Sequence, residues 1–128
     1  MNVRAERLSG ARETDALTFL ARAPYENVFL TYLILFDTAR ATRNAIRVAL
    51  DDRDEVVGVA YFGRQVVIAT SEPSALEAFA EIARGHHGER MIVGPREGTM
   101  HYWSLIEAAH TPPRVIRERQ FVMKIDRS

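Results

Sequence analysis

Apolar residues recur along this chain with two different periods, and the switch between them predicts the elements. Ile46, Val48 and Leu50 alternate with Arg47 and Ala49, the two-residue repeat of a strand whose side chains point to opposite faces in turn. The runs 56–62 and 66–69 are apolar and rich in valine. Their connections, 51–54 and 63–64, are short enough for hairpins, so the three segments predict an antiparallel meander. Leu76, Phe79, Ala80 and Ala83 then repeat at the spacing of a core-facing helical stripe. That helix starts near Pro73, which is tolerated in a first turn, or at Ser74, which with Glu77 has the spacing of a capping box. Gly85 supplies its left-handed stop.

The flanks complete the order. Residues 2–8 alternate weakly and predict a short strand, broken by Ser9 and Gly10. A helix follows with Leu17, Leu20 and Ala21 on one side, and it stops before Pro24, which drives Ala23 toward extended geometry. Asn27 can cap a second helix through Val28, Leu30, Leu33, Ile34 and Phe36, its side-chain oxygen accepting an amide of the first turn. This helix is apolar nearly all round, which predicts that it is buried or covered by a partner. Residues 37–44 are polar, show no period and are expected to form a loop. Residues 91–93 predict a compact strand closed by Gly94 and Pro95. A further helix carries Tyr102, Leu105, Ile106 and Ala109 on one face and ends at Pro112 and Pro113. Phe121, Met123 and Ile125 resume the two-residue period as a last strand. The expected architecture is one α/β domain over 1–128, a mostly antiparallel mixed sheet with helices on both faces.

Composition narrows the function classes. The 128 residues, 47% hydrophobic, suffice for one core and one domain. Seventeen basic residues balance seventeen acidic ones, so no net field draws in nucleic acid or an acidic membrane face. The absence of cysteine excludes disulfides and thiolate chemistry and suits the cytoplasm. Residues 1–9 carry Arg4, Glu6 and Arg7 in place of the apolar run of a secretory signal. The apolar stretch 28–36 is about half of the roughly 20 residues that a membrane-crossing helix needs.

Pro24, the run Glu26-Asn27-Val28-Phe29-Leu30, Phe79-Ala80, Ile92-Val93-Gly94-Pro95, Trp103 and Arg117-Glu118-Arg119-Gln120 stand in this order along the chain. With that order of elements the chain resembles the GNAT superfamily of N-acetyltransferases. In particular it resembles the GNAT-like N-terminal domain of bacterial acetyltransferases built from two GNAT-type halves. The resemblance implies a cofactor, acetyl-CoA, whose diphosphate sits on backbone amides between the fourth strand and the next helix, usually in a glycine-containing motif. Here the corresponding loop, following Ala69, reads Thr70-Ser71-Glu72-Pro73-Ser74. It has no glycine, places a carboxylate where phosphates would lie and loses one N–H to proline. The helix-end attraction for an anion, roughly 0.3 to 1 kcal/mol, is matched by repulsion from Glu72. Ala69, Thr70, Ser71 and Ser74 are thus the candidate cofactor positions of a degenerate site, with no cofactor expected unless the chain is active. The family also closes with a strand hairpin, whereas residues 114–128 offer one good strand, leaving an edge for another chain or domain to pair with.

Candidate chemistry is sparse. Glu26 and Asn27 would border the family's substrate cleft, although capping also explains them. Arg96 and Glu97 follow Gly94-Pro95 at a strand end, where ligands of open α/β sheets bind, and are the preferred substrate positions; a turn and a helix-start carboxylate account for them equally. His101, Tyr102 and Glu107 could do acid–base work if they bordered a cleft, but Tyr102 fits a buried stripe and His101 the exposed side. His86 and His87 point in different directions and lack a third ligand, so no metal is expected. Arg114, Arg117 and Arg119 read as a solvated strand, and Trp103 and Phe121 as core or interface aromatics. The resemblance then implies a non-catalytic domain that partners a second GNAT-type domain or a homodimer. The alternatives are a stand-alone acetyl-CoA-dependent transferase for a small amine, and a ligand-binding or regulatory module on the same fold.

Overall fold

Alternation along residues 46–69 builds the middle of the sheet. The computed structural model describes residues 2–63, 65–84 and 91–107, together with the backbone of 113–117 and 121–125. Four antiparallel strands, β1 (Arg4–Arg7), β2 (Ile46–Leu50), β3 (Val56–Phe62) and β4 (Gln65–Ala69), pair in chain order, with Glu6 opposite Val48, Val48 opposite Val59 and Val59 opposite Ala69. Asp51 holds the β2–β3 turn, its carboxylate accepting the amides of Arg53 and Glu55 at 2.9 and 3.0 Å, and Asp54 adopts the left-handed conformation at φ 61°. Beyond β4 lie β5 (Met91–Gly94), parallel to it, then β7 (Phe121–Ile125) and, at the far edge, β6 (Pro113–Arg117). Among the described residues the sheet has seven strands in the order β1-β2-β3-β4-β5-β7-β6.

Among the described residues five helices cover it: α1 (Glu13–Leu20), entered through a 3-10 turn at Gly10–Arg12, α2 (Val28–Phe36), α3 (Arg40–Ala45), α4 (Pro73–Ala83) and α5 (Arg96–Ile106). The two-residue period divides the strands between two cores. Ile46, Val48, Leu50, Val59, Val67 and Val93 pack against Ala16 and Leu20 of α1 and Leu30, Leu33 and Ile34 of α2. Their neighbours Ala49, Ala60, Val66, Ile68 and Ile92 pack under Leu76, Phe79 and Ala80 of α4 and Tyr102 and Ile106 of α5. A strand buried on both faces cannot show polar alternation, which is why β3 and β4 read as continuous apolar runs.

Three expectations are corrected and one open alternative is resolved. Residues 37–44 are not all loop, because α3 begins at Arg40. Its stability comes from outside the helix. The Asp37 carboxylate accepts from the Ala39 amide and the Thr42 hydroxyl, each at 3.0 Å, and Arg43 donates to the Ile34 carbonyl at 3.2 Å and pairs with Glu13 at 2.6 Å. Asn27 stands at the start of α2 but does not cap it: its amide donates backwards to the Leu20 carbonyl at 3.1 Å, closing the end of α1. Pro73 is the first residue of α4 and Glu72 its cap, so the Ser74–Glu77 box is not formed. The tail makes the full closing hairpin, with Pro113 opening β6 as proline can on an edge strand. That edge carries a register irregularity between Pro113 and Ile116, which with proline blunts it against pairing. Gly85, His86, His87, Ala109 and Arg119 lie outside the described residues, as do the side chains of Arg114, Arg117 and Phe121.

The second helix is buried on one stripe only. Leu30, Leu33 and Ile34 reach the core, while Val28, Tyr32, Leu35 and Phe36 are exposed.

Candidate functional site

Where β4 and β5 stop pairing, the sheet opens. Their parallel register runs from Gln65 opposite Met91 to Val67 opposite Val93; past it the chain leaves β4 through Ala69 and Thr70 and leaves β5 through Gly94 and Pro95. Ala69 belongs to the core on the α1–α2 face, so the opening is roofed by the end of α1 and the start of α2. The result is an open cleft of about 190 Å³ lined by Phe19, Arg22, Ala23, Glu26, Asn27, Ala69, Thr70, Ser71 and Pro95. Its floor is apolar. Its rim carries one cation and one anion, with the Arg22 guanidinium 5.0 Å from the centre of the Phe19 ring.

The opposite side of the same loop is closed by α5. A Cβ on Gly98 would stand 2.2 Å from the Thr70 carbonyl oxygen and 3.3 Å from the Ser71 Cα, and one on Gly94 would stand 2.6 Å from the Ile68 carbonyl oxygen. Only glycine lets the first turn of α5 come this close to residues 70–71.

Within the loop side chains take up two amides, those of Glu72 and Ser74. The Thr70 hydroxyl donates to the Val57 carbonyl at 2.8 Å and accepts the Glu72 amide at 3.1 Å. The Glu72 carboxylate accepts the Ser74 amide at 3.4 Å, and its carbonyl accepts the Leu76 amide at 3.1 Å. Pro73 has no amide to offer. The side chain of Glu72 thus brings its own negative charge to the start of α4, a helix end whose dipole favours an anion.

Of the positions singled out in the sequence, Glu26, Asn27, Ala69, Thr70 and Ser71 come together around this cleft. Ser74, Arg96 and Glu97 do not line it; Ser74 is turned into the first turn of α4, and Pro95 rather than Arg96 faces the opening. Tyr102 is fully buried and Trp103 nearly so, both in the α4–α5 core. His101 differs from its expected exposed setting, being half-buried with Nε2 enclosed and without a hydrogen-bond partner among the described residues. Glu107 is exposed at the end of α5. Sequence reasoning passed over Phe19 and Arg22, and no local signal marks them: they reach the cleft only because α1 ends beside the mouth of β4. Among the described residues no group of three His, Asp or Glu side chains could hold a metal ion, and no helix is long and apolar enough to cross a membrane.

The seven-stranded mixed sheet, opened between its parallel pair and covered on both faces, is a GNAT-like fold. Two solved structures share it: a GNAT-family acetyltransferase from Staphylococcus aureus Mu50, at 8% identity over 96% of this chain and 98% of that one with a TM-score of 0.50, and a candidate acetyltransferase from Exiguobacterium sp. 255-15, at 14% identity over 97% and 94% with a TM-score of 0.52. Identities this low speak for the fold alone. Residues 48–128 match the sequence profile of a domain of unknown function, DUF4081, and the chain belongs to that family. No curated protein matches it.

Proposed function

We propose that this chain is a GNAT-like domain of the acetyltransferase class that does not itself seat acetyl-CoA and serves as the partner half of a paired unit, contributing the wall of a substrate cleft. The observation that carries the reading is the loop between β4 and α4. Glu72 and Thr70 take up amides that a diphosphate would need, and Pro73 removes a third. Titration calorimetry of the chain with acetyl-CoA tests it. No saturable heat is expected, whereas a dissociation constant of roughly 1–10 μM would refute it and return the chain to the stand-alone transferases.

A second reading has its own observation. The cleft gathers Arg22, Glu26, Asn27, Thr70 and Ser71 around an apolar floor, which suits a small ligand carrying polar ends, so the domain would be a binding or regulatory module. Amide chemical-shift mapping against a panel of small amines and carboxylates separates the two. Concerted shifts of residues 69–71 and 22–27 favour the module, and silence there favours the partner half.

A further inference from the structure

We propose that the outer face of α2 is a homodimer interface, on which the same helix of a second copy packs antiparallel about a two-fold axis near Tyr32. This deepens the pairing role proposed above by naming the surface and its occupant, and it rests on that reading in taking the chain to work paired.

The helix Val28–Phe36 carries two apolar stripes. The inner one, Leu30, Leu33 and Ile34, packs into the core; the outer one runs from Val28 (64% exposed) through Phe29 (36%) and Tyr32 (57%) to Leu35 (53%) and Phe36 (67%), and Tyr25 (94%), in the turn before the helix, extends it. These positions follow the three- and four-residue spacing of a helix–helix contact. Together they expose roughly 600 Å² of mainly apolar surface, counting aromatic side chains at ~200 Å². That is the upper end of the largest patches on monomers, ~300–600 Å², and most of the ~800 Å² each partner gives to a standard interface.

The chemistry of the face selects a copy of itself. No residue of α2 is charged, so two such helices can meet without stranding a charge, and an isologous contact requires a patch that complements itself. Tyr32 and Phe36 already pair at 5.4 Å between centroids with their rings tilted by 45°, and aromatic residues of this kind anchor interfaces. The rim is complementary under the same two-fold. Glu26 precedes α2 and Arg40 follows it, and neither takes part in the ion pairs found among the described residues. Antiparallel packing brings Glu26 of each copy toward Arg40 of the other.

Light scattering at about 100 μM, where mass action favours association, should give twice the 14.5 kDa chain mass. Tyr32→Glu should weaken association at least ~30-fold with an unchanged circular dichroism spectrum. Arg40→Glu should weaken it roughly two- to fivefold, and the charge swap Glu26→Arg with Arg40→Glu should restore it. Because the chain has no cysteine, Val28→Cys, Tyr32→Cys and Leu35→Cys report proximity without a background. At least one should form a disulfide-linked dimer under mild oxidation, while Glu77→Cys on α4 should not. A monomeric wild type, a dimer indifferent to Tyr32→Glu, or an absence of cross-linking at all three positions overturns the proposal. The acetyl-CoA titration reads the parent reading separately, since cofactor binding by a dimer would refute that reading and leave this interface standing.

Discussion

Replacing Gly98 with alanine sets two ordinary effects against each other. Gly98 lies in the first turn of α5, where alanine is favoured over glycine by about 1 kcal/mol on helix propensity alone. Against this, the new Cβ would stand 2.2 Å from the Thr70 carbonyl oxygen, a contact with backbone on both sides that no side-chain rotation relieves. Either α5 or the loop after β4 must move, and overpacking of this kind costs about 1–3 kcal/mol, with more where backbone blocks backbone. With backbone meeting backbone the clash falls at the upper end of that range, so net of the propensity gain Gly98→Ala should be destabilising by about 2 kcal/mol, seen as a fall in melting temperature of some 3–5 °C per kcal/mol for a chain of this length. Chemical denaturation read by circular dichroism measures the free energy. Gly10→Ala is the control, since its Cβ would meet nothing nearer than 3.9 Å and should leave stability within about 0.5 kcal/mol. A Gly98→Ala protein as stable as the wild type, or more so, would refute the close approach of α5 to residues 70–71, and with it the account of how that side of the loop is closed.

Asn27→Ala removes the bond to the Leu20 carbonyl and should cost about 1 kcal/mol in denaturant melts, with faster amide exchange at the end of α1. Phe79→Ala empties the centre of the α4–α5 core, where Phe79 is fully buried and meets Phe62 edge-on at 6.0 Å, and should cost about 3–5 kcal/mol; a smaller loss would mean that the core collapses around the gap. The hydrogen bond from Arg4 holds the Asp54 carboxyl below the usual carboxylate range. Its contribution is therefore complete above that range and is lost as pH falls through the lowered value. Carboxyl-carbon NMR titration should show the Asp54 midpoint rising in Arg4→Ala, and an unmoved midpoint would sink the assignment.

The amino-acid order alone determined what depends on neighbours in the chain. The alternation of Ile46, Val48 and Leu50 and the stripe of Leu76, Phe79 and Ala80 each register one buried face, so β2 to β4 and α4 were legible with their partners unknown. The charge of Glu72 and the fitness of Pro73 for a first turn were legible too, because both are local; that Glu72 and not Ser74 caps α4 was not. Tertiary structure decided whatever needed two distant segments. Helix α3 has no apolar stripe to read and is held by Asp37, Ile34 and Glu13. Asn27 could donate to Leu20 only once α1 and α2 had been set end to end. The closing hairpin depends on β7 finding β5. The cleft itself exists because β4 and β5 part after Val67 and Val93 beside the end of α1. Its lining is drawn from three separate segments, 19–27, 69–71 and Pro95, and no periodicity in one dimension can encode a distance between two strands.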